Sequence, residues 1–142
     1  MPDSFEYREM QISDYPDILK EWESDKNIYI NEADSKEGIN NYLSRNENMS
    51  TICTYKNSII GTILTGDDGR YGYLHHLYVN ESHQNKGIGS ELIRISIEKL
   101  KNKGFKKVFL QIFKNNEDGK KYWMKKSWNL RDDIDLMDLN LT

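Results

Sequence analysis

Gln84-Asn85-Lys86-Gly87-Ile88-Gly89-Ser90 follows an apolar run, Tyr73-Leu74-His75-His76-Leu77-Tyr78-Val79, and opens a helical pattern, Glu91-Leu92-Ile93-Arg94-Ile95-Ser96-Ile97-Glu98-Lys99-Leu100. Strand, glycine-rich turn and helix in that order present backbone N–H groups to an anion. The first N–H groups of a helix have no partner inside it, and the aligned peptide dipoles leave partial positive charge there. Gly87 and Gly89 remove the side chains that would hold a phosphate away from those groups. The expectation is a pyrophosphate-bearing ligand seated on Gly87 to Ser90.

Other glycine turns fit less well. A nucleotide-hydrolase loop carries Lys and then Ser or Thr directly after its last glycine. Here Lys86 precedes the glycines. A dinucleotide fingerprint needs three glycines as G-x-G-x-x-G with an acid about 20 residues on. This stretch has only Gly87 and Gly89, and Gly104 closes the helix. The spacing Gln-x-x-Gly-x-Gly, set after a strand ending Leu-x-Val, instead resembles the acyl-CoA loop of the GNAT superfamily of N-acetyltransferases.

The chain has 142 residues, 37% hydrophobic and 30% charged, with a mean hydropathy of −0.83. That length suits one α+β domain spanning residues 1–142 with a modest core under a very polar surface. A formal charge of −3 gives no general attraction to nucleic acid or to an anionic membrane. No apolar run approaches the roughly 20 residues that span a bilayer. The start Met1-Pro2-Asp3-Ser4 lacks a secretory layout, so a cytoplasmic location is expected. Cys53 is the only cysteine and lies in an alternating apolar stretch, where it reads as a small buried hydrophobe. Period-two alternation separates His75 from His76, so no metal site is expected.

Taken in order, Phe5 to Met10 reads as a strand, and Ser13 or Asp14 caps a helix through Ile18, Leu19 and Trp22. Asp34 with Glu37 reads as a capping box opening a second helix, with Ile39, Tyr42 and Leu43 on one face. Ser50 to Tyr55 and Ile59 to Thr65 form a hairpin about Lys56-Asn57-Ser58. Gly66 to Arg70 turns the chain into a further strand, Tyr71 to Val79. The helix from Ile88 ends at Gly104. Phe105 to Phe113 reads as an inner strand covered on both faces. A last helix runs from about Asn115 to Lys126, and Trp128 to Leu130 and Ile134 to Leu141 read as terminal strands.

This order of elements is also similar to that of the GNAT superfamily, and Asp68-Gly69-Arg70-Tyr71-Gly72-Tyr73 resembles a turn of its small bacterial members. The resemblance implies a mixed, mostly antiparallel central sheet flanked by helices, with a V-shaped splay between the fourth and fifth strands. It implies direct acetyl transfer from acetyl-CoA, a co-substrate, to the primary amine of a small molecule or peptide, without a metal. Leu77, Tyr78 and Val79 would supply main-chain contacts to the pantetheine. Gln84, Asn85, Lys86, Gly87, Ile88, Gly89 and Ser90 would wrap the pyrophosphate, and Asn116 would reach the pantetheine.

A family member commonly has a tyrosine acid on its last helix. In the best register, that of Asn116, Gly119, Tyr122, Trp123, Ser127 and Trp128, this position falls on Trp123, whose indole N–H is a donor only. Tyr122, one residue earlier, stands open as the acid or as a core aromatic. For the base, the resemblance points to the fourth strand, at Tyr73 and His75. His75 shares a face with Leu77 and Val79 by period two, and an imidazole pKa near 6.5 suits proton removal at neutral pH. A hydrogen-bonded residue on a half-buried strand is its other reading. His76 points to the other face, and His83 lies in solvent. The early helices form the wall where acceptor selectivity resides. A non-catalytic acyl-CoA-binding module, a protein N-terminal acetyltransferase and a nucleotide-binding protein are the alternatives. Exposed terminal strands leave a homodimer open.

Overall fold

Ile18 and Trp22 stand one helical turn apart and are both fully buried, which fixes the inner face of the first helix. The computed structural model describes residues 4–142. Two compact units are distinguished, Met1–Gln111 and Ile112–Thr142. The first unit holds five strands, β1 (Glu6–Glu9), β2 (Thr51–Tyr55), β3 (Ser58–Asp67), β4 (Gly72–Val79) and β5 (Val108–Leu110). It also holds α1 (Tyr15–Glu23), α2 (Lys36–Arg45) and α3 (Ile88–Asn102). The strands lie in the order β1-β2-β3-β4-β5. All neighbours are antiparallel except β4 and β5, which are parallel. No helix among the described residues is long and apolar enough to cross a membrane.

One face of the sheet packs on α1 and α2 through Met10, Ile18, Trp22, Ile39, Ile52, Leu64 and Tyr78. The other face packs on α3. A Cβ at Gly72 would stand 2.7 Å from a methyl of Leu100, and one at Gly61 would stand 3.2 Å from Ile88 and 3.3 Å from Leu92. Thr65 Oγ1 and Ser96 Oγ of α3 share a hydrogen bond of 2.7 Å, both residues fully buried. Lys56 and Asn57 at the β2–β3 turn both have positive φ, the geometry that matches the twist of a two-residue hairpin. Cys53 is buried as expected, and burial raises its thiol pKa.

Three expectations need correction. The cap of α2 is Ser35, whose Oγ accepts from Gly38 N at 3.0 Å, and not Asp34. Asp34 instead closes the short 3-10 turn Glu32–Asp34, accepting from Asn31 N at 3.2 Å, which leaves its other oxygen for a distant partner. The fifth strand is an edge of three half-buried residues rather than a long inner strand. Its sequence neighbours Lys106, Lys107 and Gln111 are exposed, a polar flank that suits a short ladder.

The second unit contains α4 (Glu117–Lys125) but no strand. The segments expected as terminal strands, Trp128 to Leu130 and Ile134 to Leu141, form no strand. Leu136, Met137, Leu139 and Leu141 are each more than three-quarters exposed. Asp132, Asp133, Asp135 and Asp138 break the apolar alternation there, so no continuous face is available to bury.

Candidate active site

β4 is the spine of the site, and its pairing with β3 is interrupted. Thr62 lies opposite Tyr78 and Leu64 opposite His75, so two steps along β3 face three along β4. The extra residue is a bulge at His76–Leu77, where His76 takes φ +50. A left-handed backbone at a non-glycine residue costs about 1–2 kcal/mol and persists only where its surroundings fix it. Here they do. The Thr62 hydroxyl donates to the His76 carbonyl at 3.0 Å, and Trp22 Nε1 donates to Thr62 Oγ1 at 2.8 Å. The Trp22 and His76 rings meet edge to face with centroids 4.7 Å apart. His76 Nε2 lies 2.9 Å from Asp34 Oδ1.

The bulge shifts the alternation by one. Gly72 and Leu74 face α3 before it, and Val79, opposite Gly61, faces α3 after it. His75, opposite Leu64, faces α2, its ring 6.3 Å from that of Tyr42 and stacked at 6.4 Å on that of Tyr73. His76 and Tyr78 face α1. Both histidines therefore sit on the α1–α2 face. The expectation that His75 shares a face with Leu77 and Val79, with His76 opposite, is corrected: strict alternation fails across a bulge. Burial, and then the nearby charge of His76, lower the His75 pKa against an opposing pull from Asp34.

The splay between the fourth and fifth strands is present. The β4–β5 ladder joins Gly72 to Val108, Tyr73 to Phe109 and Leu74 to Leu110, and stops. Beyond Leu74, among the described residues, no strand takes the edge of Leu77, Tyr78 and Val79. Just past this edge, Gln84 Nε2 donates to the Val79 carbonyl at 3.2 Å, so the Gln84 side chain braces the loop against the strand. Asn85 and Gly87 both have positive φ, at +64 and +83. Gly87 is the N-cap of α3, and no side chain caps the helix. A Cβ at Gly87 would meet no atom within 4 Å. The N-terminus of a fifteen-residue helix thus opens onto a cradle, flanked by Lys86 and Ser90, that suits a pyrophosphate.

Several polar groups around this face have partners that no local sequence pattern announces. Glu21 accepts from Tyr78 Oη and from Asn80 Nδ2, both at 3.1 Å, tying the end of α1 to the end of β4. The Tyr42 hydroxyl is buried without a hydrogen-bond partner, and burial raises its pKa. His83 is not in solvent: its ring is half-buried, 5.4 Å from Tyr55 and 6.3 Å from Phe5. Trp22, Asp34 and His76 are 40 or more residues from their partners across the sheet in chain order, so no local pattern announces them.

Asn116 and Tyr122 belong to the second unit. Asn116 Oδ1 accepts from Gly119 N at 2.9 Å and so caps α4. Tyr122 is 37% exposed, which corrects the reading of it as a core aromatic. Its ring lies edge-on to Trp123 at 5.6 Å and carries the Lys126 ammonium 4.9 Å from its centroid. Trp123 packs edge-to-face on Trp128 at 4.9 Å.

The sequence model of the acetyltransferase (GNAT) family matches residues 8–127. The chain belongs to the GNAT acetyltransferase family. A stretch of 57 residues is 40% identical to the uncharacterised N-acetyltransferase YobR of Bacillus subtilis (strain 168), covering 40% of this chain and 22% of YobR. The match therefore spans under a quarter of that curated relative. Among solved structures, PaiA N-acetyltransferase from Thermoplasma acidophilum in complex with coenzyme A superposes with a TM-score of 0.79 at 22% identity, covering 91% of this chain and 92% of that one. A predicted acetyltransferase from Clostridium acetobutylicum, bound to acetyl-CoA, gives 0.75 at 21% identity and covers 97% of both chains. At these identities the two structures speak for the fold. The α+β architecture with its splayed β4 and β5 is that of the family.

Proposed function

We propose that this chain is an acetyl-CoA-dependent N-acetyltransferase acting directly on the primary amine of a small molecule or peptide. The observation that carries the reading is the free edge of β4 beyond Leu74, leading into the uncapped N-terminus of α3 at Gly87. An extended pantetheine can add to that edge as a strand would, through the main chain of Leu77, Tyr78 and Val79. The N–H groups from Gly87 to Ser90 and the positive end of the helix dipole favour the pyrophosphate. Acetyl-CoA supplies the activated acetyl group, and the chain binds and orients it. A main-chain N–H near the bulge is the natural donor to the developing oxyanion.

The amine attacks only as the free base, which calls for a proton acceptor on the α1–α2 face. Two imidazoles, those of His75 and His76, stand on that face; burial, and then the nearby charge of His76, lower the pKa of His75. For the acid step, Tyr122 is the phenol nearest the family position, and a thiol pKa of about 8.5 also lets the thiolate leave unaided. The reading of a non-catalytic acyl-CoA-binding module draws on one observation, the indole of Trp123, edge-to-face with Trp128, where the family commonly has its tyrosine.

A panel of primary amines, including polyamines, amino sugars and N-terminal peptides, assayed for release of the CoA thiol tests the proposal. Turnover of at least one amine is expected, together with thermal stabilisation by CoA. Stabilisation by CoA with no turnover of any amine would favour the binding module. Stabilisation by ATP alone would point to a nucleotide-binding protein.

A further inference from the structure

We propose that His76, oriented by Asp34, is the group that takes the proton from the acceptor amine; this inference rests on the acetyltransferase reading above. A ligand anchored at Gly87 and laid along the free edge of β4 passes Val79, Tyr78 and Leu77, about 10 Å at a strand's rise of about 3.3 Å per residue. It must stop where the β4–β5 ladder closes at Leu74. Its reactive end therefore lies at the bulge, and the residue that forms the bulge is His76.

The imidazole at that point is held as a base needs to be held. Asp34 Oδ1 lies 2.9 Å from His76 Nε2, and the two side chains are 8% and 18% exposed. A carboxylate on Nε2 keeps the proton there and leaves the Nδ1 lone pair as the acceptor. Asp34 is itself fixed from three sides: its Oδ2 accepts from Asn31 N at 3.2 Å, its carbonyl accepts from Tyr15 Oη at 2.6 Å, and its carboxylate meets His76. Trp22, fully buried, limits the tilt of the ring. His75 lies on the same face, but its neighbours are the rings of Tyr73 and Tyr42.

The step balances without any further reactant. His76 Nδ1 takes one proton from the ammonium group. The freed lone pair forms the C–N bond at the thioester carbonyl carbon, and the C–S bond breaks with its electrons on sulfur. The second proton lost by nitrogen goes to the CoA thiolate, and His76 returns its proton to solvent.

The test compares wild type, His76→Gly, His76→Asn and Asp34→Asn with spermidine, kanamycin and an alanine-terminated peptide as probes, measuring CoA affinity alongside. Glycine adopts positive φ freely and asparagine tolerates it, so both replacements keep the bulge. Asparagine can still donate to Asp34 but has no basic nitrogen. All three variants should bind CoA as wild type does. Their kcat/KM should fall by about 10²–10⁴, the usual range for losing a general base. Exogenous imidazole should restore His76→Gly at least tenfold, and should do nothing for His76→Asn. A kcat/KM within threefold of wild type in either His76 variant overturns the proposal and leaves the acetyltransferase reading intact. Loss without imidazole rescue also overturns it, marking the pair as a clip between β4 and the α1–α2 segment. Absence of wild-type turnover with all three probes overturns the proposal for these amines, and CoA stabilisation with a negative wider panel overturns the enzyme reading as well.

Discussion

Gly87 carries two separable demands. Its φ of +83 is one that an L-residue adopts at a cost of about 1–2 kcal/mol, and the space beyond its Cα is open. Alanine at position 87 should therefore lower stability by about that amount in urea titrations. In calorimetric titration it should also weaken CoA binding more than tenfold, because a methyl there takes up open space beside the N–H groups proposed to hold the pyrophosphate. Equal CoA affinity in Gly87→Ala would move the pyrophosphate elsewhere. His75 makes a prediction in pH. Burial, then the charge of His76, lower its pKa from 6.5, so between the two values the unfolded chain binds the extra proton. Its contribution is complete above about pH 6.5 and is lost as pH falls below that, toward the folded value. The urea midpoint of wild type should drop between pH 7.5 and 5.5, and His75→Leu should flatten part of that slope. Asp14 does not interfere in that window. Burial alone would raise its pKa, but hydrogen bonds from Arg8 and Gln11 N outweigh this and hold it low, so its contribution fades only near and below pH 4.

At the scale of elements, the chain Trp22 Nε1 to Thr62 Oγ1 to the His76 carbonyl couples a helix, a strand and a bulge through one hydroxyl. Valine at position 62 has nearly the same shape and removes that hydroxyl. It strands a fully buried indole N–H, at a cost of about 1–3 kcal/mol for an unsatisfied buried donor. Thr62→Val should lose that much stability, and amide exchange should quicken around residues 75–78 more than in α3. What the sequence disclosed at this scale follows the same logic. α3 was legible from end to end because its periodicity, Gly87 and Gly104 are local signals. The cap of α2 falls one residue past the expected Asp34, since Asp34 and Ser35 are both good caps and only the fold shows that the Asp34 carboxylate is engaged elsewhere. The β4 bulge was invisible, because pairing register depends on β3 and on no pattern within Tyr73 to Val79. That one extra residue brings both histidines to the same face, where strict alternation would separate them.

At the scale of the molecule, the mixed, mostly antiparallel sheet and its splay follow from the element order and the family resemblance, while the make-up of the α1–α2 face does not. The α1–α2 face is assembled by contacts spanning 40 to 59 residues, such as Trp22 to Thr62 and Glu21 to Asn80, and composition carries no trace of them. The expected terminal strands failed for a related reason: a strand requires a partner ladder, and alternation supplies only the side chains. Leu136, Met137, Leu139 and Leu141 bury almost nothing as they stand. Deleting residues 131–142 should therefore leave the unfolding free energy from urea titration unchanged within about 0.5 kcal/mol, the range of surface changes away from packed features. The same four side chains expose apolar area that favours association, so sedimentation velocity should show concentration-dependent self-association in the full chain and less of it after truncation. A stability loss above about 1 kcal/mol on truncation would exceed what exposed side chains contribute and would mean that the segment packs in solution.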